Sequence, residues 1–579
     1  MIMPGRVGSI LTCGAYKLCS VRLYLRYCIP RSYPIQNQFR ATFIRYIVKL
    51  VEYFVPRFLE PAGTMVNQQL VFVVHRSMLN SKHSYDIIIA GAGMGGLSAA
   101  CFLANDGYSV LVLEKAHVAG GCSSSYYRKG YIFESGATTL IGFDENQPLQ
   151  LLESKLGITI PKKKIEPSMT VHMAGKEIIR WEDRKKWIQE AIKHFGEPAG
   201  QKNFWELSYR ISDVVWKVSA KNNFFPPVEL KDWLKLLKNN PMDMWVLPYA
   251  FQSVREIALG MGISNPAFFR FLNEQLMISA QAPSEDTPYL FGAPAITYTN
   301  YSNYYVPGGL IKMVNTLTDF IKDKGGEVKT KDGVISIDKS GNRYRVLTQK
   351  GIEYSASAVI SNIPVWNMGG LTSGDIARYF DSESGKYEKA WGAFTMGIVT
   401  EDVYSDEMST HHQLHLENGH KRLEGLDSGS VFVSFSDKHD RERAKAGDRV
   451  LNLSAHALPD FWFGLNGEYE RVKKRTQDAI IEFLRDKLPG FSNATIKMVF
   501  SSTPVTWNNW VYRKKGRVGG IPQSMSRSLL DWTPNQTPFP GLFLCGDTVF
   551  PGQGIPGVTL SGFNVYLRSV KHLKNFSNH

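Results

Sequence analysis

The residues best suited to chemistry in this chain are several glycines and one acid between positions 85 and 121. Gly91, Gly93 and Gly96 follow an apolar run at 87–89 and precede a stretch rich in small side chains. This order predicts a buried strand, a tight turn and a helix, in which the glycines let a pyrophosphate approach the positive helix N-terminus. The GxGxxG pattern therefore predicts a dinucleotide site, and a glycine turn without a ligand is the alternative.

The acid of this pattern is Glu114, which ends a second apolar run at 110–113 and follows Gly96 by 18 residues. A carboxylate at this point accepts hydrogen bonds from an adenosine ribose and repels a 2′-phosphate, which excludes NADP. NAD and FAD remain. The pair Gly120-Gly121 favours FAD, because it lets the chain pass tightly beside the pyrophosphate.

A second candidate segment lies near the C-terminus. Residues 541–547 form a predicted buried strand that ends in Gly546-Asp547, and a predicted helix begins near Gly554 to Val558. An acid at a strand end can hold ribityl hydroxyls, and a helix N-terminus stabilises negative charge on a reduced flavin by about 0.3–2 kcal/mol. A buried strand followed by an ordinary glycine-rich turn is the alternative.

Together with the segment 305–314, these two ends resemble the FAD-dependent carotenoid desaturase, carotenoid isomerase and retinol saturase family. The resemblance spans about residues 85–570. Gly121-Cys122-Ser123 resembles the isomerase-like branch, since bacterial-type phytoene desaturases usually have an arginine where Cys122 stands. The resemblance implies an α/β fold, in which a Rossmann-type, glutathione-reductase-like FAD-binding domain interleaves with an α+β substrate domain.

The resemblance also places the backbone of Val334 against the adenine. The candidate FAD-binding residues are Gly91, Gly93, Gly95, Gly96, Glu114, Lys115, Gly120, Gly121, Cys122, Val334, Gly546, Asp547, Gly554, Ile555, Pro556 and Val558. Tyr304, Tyr305, Trp510 and Arg513 lie in segments that can border the isoalloxazine. No nucleophile–base motif is recognisable, so no residue is assigned a catalytic role.

The chain is long enough for two interleaved domains. The predicted organisation is a basic N-terminal extension at 1–83, FAD-binding segments at 84–150, 301–365 and 501–579, and substrate-domain segments at 151–300 and 366–500. Six of the 12 tryptophans fall in the first substrate segment. They predict a helical core, or an apolar tunnel and membrane-docking face, and different faces can serve both purposes.

The N-terminal extension dominates the net charge of +14, because residues 1–83 hold 11 Lys or Arg against Glu52 and Glu60. Three interpretations of this extension are open. It is a targeting presequence, or an interfacial anchor with apolar residues at helical spacing from Ile44 to Phe58. Alternatively, the start codon was assigned too early, and translation begins at Met65 or Met78. The mildly basic remainder shows no nucleic-acid footprint. Six cysteines without CxxC spacing predict a reduced compartment, with neither disulfides nor a zinc site.

Two polar clusters are interpreted as structural. His411, His412, His415 and Glu417 include a pair at the i, i+4 spacing of a helical zinc site, but they alternate with leucines and predict a half-buried strand. No metal is therefore expected. The lysines 162–164 follow a proline and predict a solvated turn.

The expected function is oxidation of a lipophilic polyene by FAD, with desaturation of a carotenoid as the main prediction. A cis–trans isomerase, a retinol-saturase-like reductase, an amine oxidase-like enzyme and a flavin-stabilised carrier are the alternatives. A polyene needs little acid–base help if its C–H bond lies within about 3.5 Å of flavin N5. Quinone or O2 is the expected electron acceptor. The expected location is cytoplasmic at a membrane surface, or a plastid or other organelle if the extension is a presequence.

Overall fold

The chain was analysed as a computed structural model, which describes residues 83–222, 224, 230–387, 390–417, 423–527 and 531–577. The predictions for the N-terminal extension lie outside the described residues. The described strands, in chain order, are β1 (Ser84–Ala90), β2 (Val110–Leu113), β3 (Ser125–Arg128), β4 (Tyr131–Glu134), β5 (Lys163–Ile165), β6 (Met169–Met173), β7 (Lys176–Arg180), β8 (Asn303–Tyr305), β9 (Glu327–Lys329), β10 (Val334–Ser340), β11 (Arg343–Thr348), β12 (Glu353–Ser361), β13 (Gly392–Glu401), β14 (His411–His415), β15 (Ser430–Phe435), β16 (Asp448–Ala457), β17 (Ile496–Ser502) and β18 (Leu542–Leu544).

Helices occupy seven of the 17 intervals between consecutive described strands, and one helix follows β18. In chain order they are α1 (Met94–Asn105), α2 (Pro148–Leu156), α3 (Arg184–Phe195), α4 (Pro198–Lys221), α5 (Leu230–Asn239), α6 (Val254–Gly260), α7 (Pro266–Ser279), α8 (Tyr289–Thr297), α9 (Ile311–Asp323), α10 (Val365–Met368), α11 (Gly374–Gly385), α12 (Pro459–Gly464), α13 (Tyr469–Lys487), α14 (Pro504–Trp510) and α15 (Ile555–Ser577). None of the described helices combines the length and apolarity needed to cross a bilayer.

The first sheet has the order β10-β11-β12-β1-β2-β9, and β18 pairs with β12. Strand β1 lies between β12 and β2 and is parallel to both, with Ile88 opposite Val359 and Leu111. Its apolar run is fully buried because helices cover both faces, as is usual for parallel strands. On one face α1 packs against α15, where the rings of Phe102 and Phe563 lie 5.0 Å apart.

The second sheet has the order β17-β13-β16-β15-β14-β6-β7. Its pairs are antiparallel except for β14 with β6. On one face, side chains such as Phe394 and Ile398 pack against Ile480 and Phe483 of the amphipathic helix α13. Alternate residues of β13 therefore point to the opposite face, which forms one wall of the cavity described below.

The strands of the two sheets come from alternating parts of the chain. The first sheet takes its strands from the segments predicted to bind FAD, and the second takes its strands from 169–180 and 392–502. This distribution supports the predicted interleaving, and the exact domain boundaries remain a proposal.

Two local predictions require correction. Lys163 and Lys164 belong to β5, which pairs with β8. Lys162 and Lys164 form ion pairs with Glu153 and Glu182. The predicted turn is therefore wrong.

Strand β14 is present as predicted, but it is buried on both faces rather than on one. The reason is that its polar side chains are paired internally: His411 contacts the Ser434 hydroxyl at 2.7 Å, and His412 contacts His172 at 2.9 Å.

Candidate active site

A single cavity of about 990 Å³ connects the carboxyl ends of the first sheet with one face of the second. Its lining includes the glycine turn after β1 and the C-terminal loop before α15. It also includes side chains of α4, α7 and α8 from the predicted substrate domain. Ligands of open parallel sheets bind at this edge of the strands, so the cavity is the candidate active site.

The glycine turn leaves no room for side chains. Gly91 has a φ of +95°, a conformation that favours glycine. A Cβ added to Gly96 would lie 2.6 Å from the Gly91 carbonyl oxygen, and one added to Gly93 would lie 2.3 Å from Nδ2 of Asn362. The turn therefore exposes backbone N–H groups at the start of α1, where a pyrophosphate can approach.

Asn362 is a site residue that the sequence analysis missed. It follows β12, and its Oδ1 accepts a hydrogen bond from the Gly96 N–H at 3.0 Å. Its own N–H donates to the Ala90 carbonyl, which links the ends of β12 and β1. The available signal was an amide, Asn362, close after the apolar run at 358–360, since parallel strands bring their carboxyl ends together.

Glu114 lies at the end of β2 and lines the cavity. Its Oε2 accepts from the Ala92 N–H at 2.8 Å and its Oε1 accepts from the Ala116 N–H at 2.7 Å. Burial raises the pKa of Glu114, and these backbone bonds oppose that shift. A carboxylate has about four acceptor positions, so Glu114 retains capacity for ribose hydroxyls.

Lys115 and Val334 also line the cavity. The Nζ of Lys115 lies 4.2 Å from the ring centre of Tyr512, and its methylene groups cover Gly333. Val334 is buried at the start of β10. The predicted contact of its backbone with adenine remains a proposal.

The pair Gly120-Gly121 has φ values of +101° and +57°. The Gly120 N–H donates to the Ala92 carbonyl at 2.7 Å, which holds this turn against the glycine turn after β1. Cys122 follows as a free cysteine that lines the cavity. Burial raises the pKa of its thiol, and the nearby Arg513 opposes that shift.

At the C-terminal segment, Gly546 has a φ of +102° and Asp547 forms a buried ion pair with Arg513. Nη2 of Arg513 lies 2.8 Å from Oδ2 of Asp547, so the guanidinium offsets the charge of this carboxylate inside the cavity wall. Helix α15 begins at Ile555, directly after Gly554. Its first turn, including Pro556 and Val558, lines the cavity as predicted.

The structure separates the four residues that were expected near the isoalloxazine. Trp510 and Arg513 line the cavity, whereas Tyr304 and Tyr305 do not. The hydroxyl of Tyr305 donates to Asp440 at 2.6 Å, and the ring of Tyr304 packs against Phe143. The expectation for the two tyrosines is therefore wrong, because Tyr305 contacts the substrate-domain segment 366–500 and Tyr304 packs within the FAD-binding segments.

The predicted FAD residues fit that cofactor as a set. All of them line the cavity except Gly96, whose missing side chain instead allows contact with Gly91. Glycines face the pyrophosphate position, an acid stands at the ribose position, and a helix N-terminus and a paired carboxylate stand at the C-terminal segment. Their individual roles toward FAD remain proposals.

The remainder of the cavity is lined by the predicted substrate domain. Its apolar side chains come mainly from α4, α7, α8 and the second sheet: Val215, Trp216, Met277, Ile278, Phe291, Pro294, Ala295 and Phe432. The aromatic residues of this insert thus divide between roles, since Trp187 and Trp205 are fully buried in a core while Trp216 lines the cavity.

The histidines of β14 lie on a strand, so the i, i+4 pair is not brought together as it would be on a helix. Residues i and i+4 of a strand lie about 13 Å apart on one face, so His411 and His415 cannot share an ion. Burial lowers the pKa of His411 and His412 to about 3 and that of His415 to about 4. His411 and His412 are neutral hydrogen-bonding side chains within the sheet.

Comparison with known proteins agrees with this geometry. Residues 89–154 match the model of an NAD(P)-binding Rossmann-like domain, and residues 284–565 match that of the flavin-containing amine oxidoreductases. The second match covers 282 of the 579 residues. The chain is an FAD-dependent oxidoreductase, the predicted fold class and cofactor are confirmed, and the similarities below agree with the predicted family.

Several proteins similar to this chain have names that refer to reactions of carotenoids. The chain is 29% identical to a chloroplastic prolycopene isomerase of Daucus carota over 84% of this chain and 80% of the relative. It is 23% identical to a 4,4′-diapophytoene desaturase of Methylomonas sp over 86% of this chain and 98% of the relative. A putrescine oxidase variant shares the fold, with a TM-score of 0.57 at 14% identity over 85% of this chain and 99% of that structure.

Proposed function

We propose that this FAD-dependent oxidoreductase acts on a carotenoid-type polyene. The observation that supports this best is the continuity of the cavity, which runs from the dinucleotide cradle to walls rich in apolar and aromatic side chains. An apolar chain can lie against these apolar walls at little cost in desolvation. The names of the relatives point to the same class of substrate.

Bound FAD supplies two-electron redox chemistry, and the protein supplies binding, orientation and electrostatics. Helix α15 presents its positive N-terminus to the cavity, which favours negative charge developing at that edge. Arg513 forms an ion pair with the carboxylate of Asp547 and holds it in place. Trp507 and Phe291 contribute apolar surface to the cavity wall.

Desaturation is the main proposal: the polyene loses two hydrogens as a hydride and a proton, and quinone or O2 accepts the electrons afterwards. Cis–trans isomerisation is the second candidate, and two observations favour it. Cys122 stands where bacterial-type desaturases usually have arginine, and identity is higher to the prolycopene isomerase than to the desaturase.

Product analysis distinguishes these reactions. Flavin-loaded protein would be incubated anaerobically with liposomal polyenes, once with quinone and once after reduction by dithionite. A red-shifted polyene formed only with quinone supports desaturation. An isomer of unchanged mass supports isomerisation, and a product two hydrogens heavier supports saturation. If no polyene reacts while an amine yields hydrogen peroxide, the proposal is wrong.

We further propose that the protein takes its substrate from a membrane surface. Helix α5 exposes four apolar side chains at i, i+3, i+4 and i+7: Leu230 (76% exposed), Trp233 (37%), Leu234 (60%) and Leu237 (51%). Lys235 and Lys238 lie on the same helix and suit anionic lipid. The preceding helix, α4, lines the cavity through Trp216, and Asn222 at its end donates a hydrogen bond to Asn240 at the end of α5.

A further inference from the structure

The cavity has a polar patch within its otherwise apolar substrate half. We name Glu274, Gln413 and Ser430 the Glu274 cluster; all three line the cavity. The Ser430 hydroxyl donates to Oε2 of Glu274 at 2.6 Å, and Nε2 of Gln413 donates to Oγ of Ser430 at 3.0 Å. The cluster joins α7 to strands β14 and β15, which are buried around it.

The register of the second sheet gives the position of this cluster. Ser502, Thr395, Ser454, Phe432 and Gln413 are paired in a single row across β17, β13, β16, β15 and β14, and all five line the cavity. Neighbouring strands lie about 4.8 Å apart, so the ends of this row are separated by ~19 Å.

The β17 end of that row adjoins the dinucleotide half. Trp507 lies in α14, which follows β17. A Cβ added to Gly136 would lie 2.9 Å from the Trp507 ring and 3.1 Å from the Cys122 carbonyl oxygen, so these two residues lie on either side of Gly136. The Glu274 cluster therefore lies at the opposite end of the row, about 19 Å from the β17 end.

The carboxyl group of Glu274 has an unusual environment. Burial raises its pKa, the bonds from Ser430 and the Gly429 N–H oppose that shift, and the neighbouring acid Asp427 adds to it. A Cβ on Gly429 would lie 2.3 Å from Oε1 of Glu274, so glycine permits this close contact. These two bonds leave the carboxyl group with further capacity toward the cavity.

We propose that the Glu274 cluster binds an oxygen function, a hydroxyl or carbonyl, at one end of the polyene. This inference rests on the proposed function and narrows its substrate class to oxygenated polyenes. An ionised Glu274 accepts from a hydroxyl, and a protonated Glu274 donates to either group. An unsubstituted hydrocarbon end would desolvate the carboxyl group without replacing its bonds to water, which disfavours that substrate.

The test compares polyenes of equal length that end in a methyl group, a hydroxyl or an aldehyde. With flavin-loaded protein, kcat/KM for the better oxygenated substrate is expected to exceed that for the hydrocarbon by at least about tenfold. Glu274→Leu is expected to bring this ratio close to one and to leave the flavin content unchanged. Glu274→Gln is expected to retain much of the ratio, because an amide still donates and accepts.

Glu190→Leu is the matched control, because Glu190 is a mostly buried acid of α3 outside the cavity that pairs with His194. It is expected to leave the substrate ratio as in the unchanged protein. If Glu274→Leu does not accumulate with flavin, Ser430→Ala is expected to lower the ratio severalfold.

Two outcomes would overturn the proposal: equal kcat/KM for all three substrates in the unchanged protein, or a preference that survives removal of the Glu274 carboxyl group. Either result leaves the proposed function intact. If flavin-loaded protein turns over none of the polyenes, the proposed function itself is refuted.

Discussion

Asn362 and Arg513 show how single residues complete the cofactor site. Each lies beside a residue that was predicted from the sequence to bind FAD. Asn362 contacts the position of Gly93, and Arg513 pairs with Asp547. Asn362 fills the space that the missing side chain of Gly93 leaves, while its Oδ1 binds the Gly96 N–H. The glycine turn therefore depends on an amide that lies 266 residues further along the chain.

This dependence predicts a specific effect of Gly93→Ala. Gly93 has a φ of −71°, which alanine adopts freely, so backbone strain does not contribute. The added Cβ would displace the Asn362 side chain and leave the Gly96 N–H without its partner, which costs about 1–3 kcal/mol in a buried site. Flavin affinity, measured by fluorescence of released FAD after dialysis, is expected to fall at least tenfold.

Gly385→Ala is the control for this substitution, because a Cβ at Gly385 meets no atom within 4 Å. It is expected to retain flavin fully. Unchanged flavin retention in Gly93→Ala would show that the pyrophosphate does not lie at this turn.

At the scale of elements, helix α5 has apolar side chains on its exposed side, and we expect these side chains to bind lipid. Burying a leucine stabilises a bound state by roughly 1.5–3 kcal/mol, so two leucines in the interface contribute substantially to lipid affinity. Leu234→Lys combined with Leu237→Lys is expected to reduce cosedimentation with anionic liposomes at least tenfold. Turnover of a detergent-solubilised polyene is expected to persist.

The control replaces two exposed apolar residues elsewhere, Val403 and Leu458, by lysine. This variant adds the same charge and is expected to bind liposomes like the unchanged protein. Equal liposome binding by both lysine variants would contradict the role of α5.

The elements themselves were predictable where the pattern is local. Continuous apolar runs indicated β1 and β2, and glycine spacing indicated the start of α1. Contacts between distant segments were not predictable: the Arg513–Asp547 ion pair, the amide of Asn362 and the pairing of Lys163 with β8 depend on which chain segments meet. A polar sequence such as His411–His415 also gives no sign that neighbouring hydroxyls will pair with it and permit full burial.

For the whole molecule, buried neutral histidines link stability to pH. Burial lowers the pKa of His411 and His412 to about 3, and of His415 and His456 to about 4. An unfolded chain protonates histidine near pH 6.5, so below that pH the unfolded state binds more protons than the folded state. The free energy of unfolding is therefore expected to fall as the pH decreases from about 6.5 toward 4.

His411 provides the sharpest test, because it is buried within the second sheet and its ring bonds to the hydroxyls of Ser434 and Thr139. Glutamine can keep such bonds without titrating. Denaturant unfolding at pH 7 and pH 5 is expected to show that His411→Gln loses about 2 kcal/mol less stability than the unchanged protein over this interval. An equal loss in both proteins would mean that His411 already exchanges protons with solvent in the folded state, and that the sheet opens beside the active-site cavity as the pH falls.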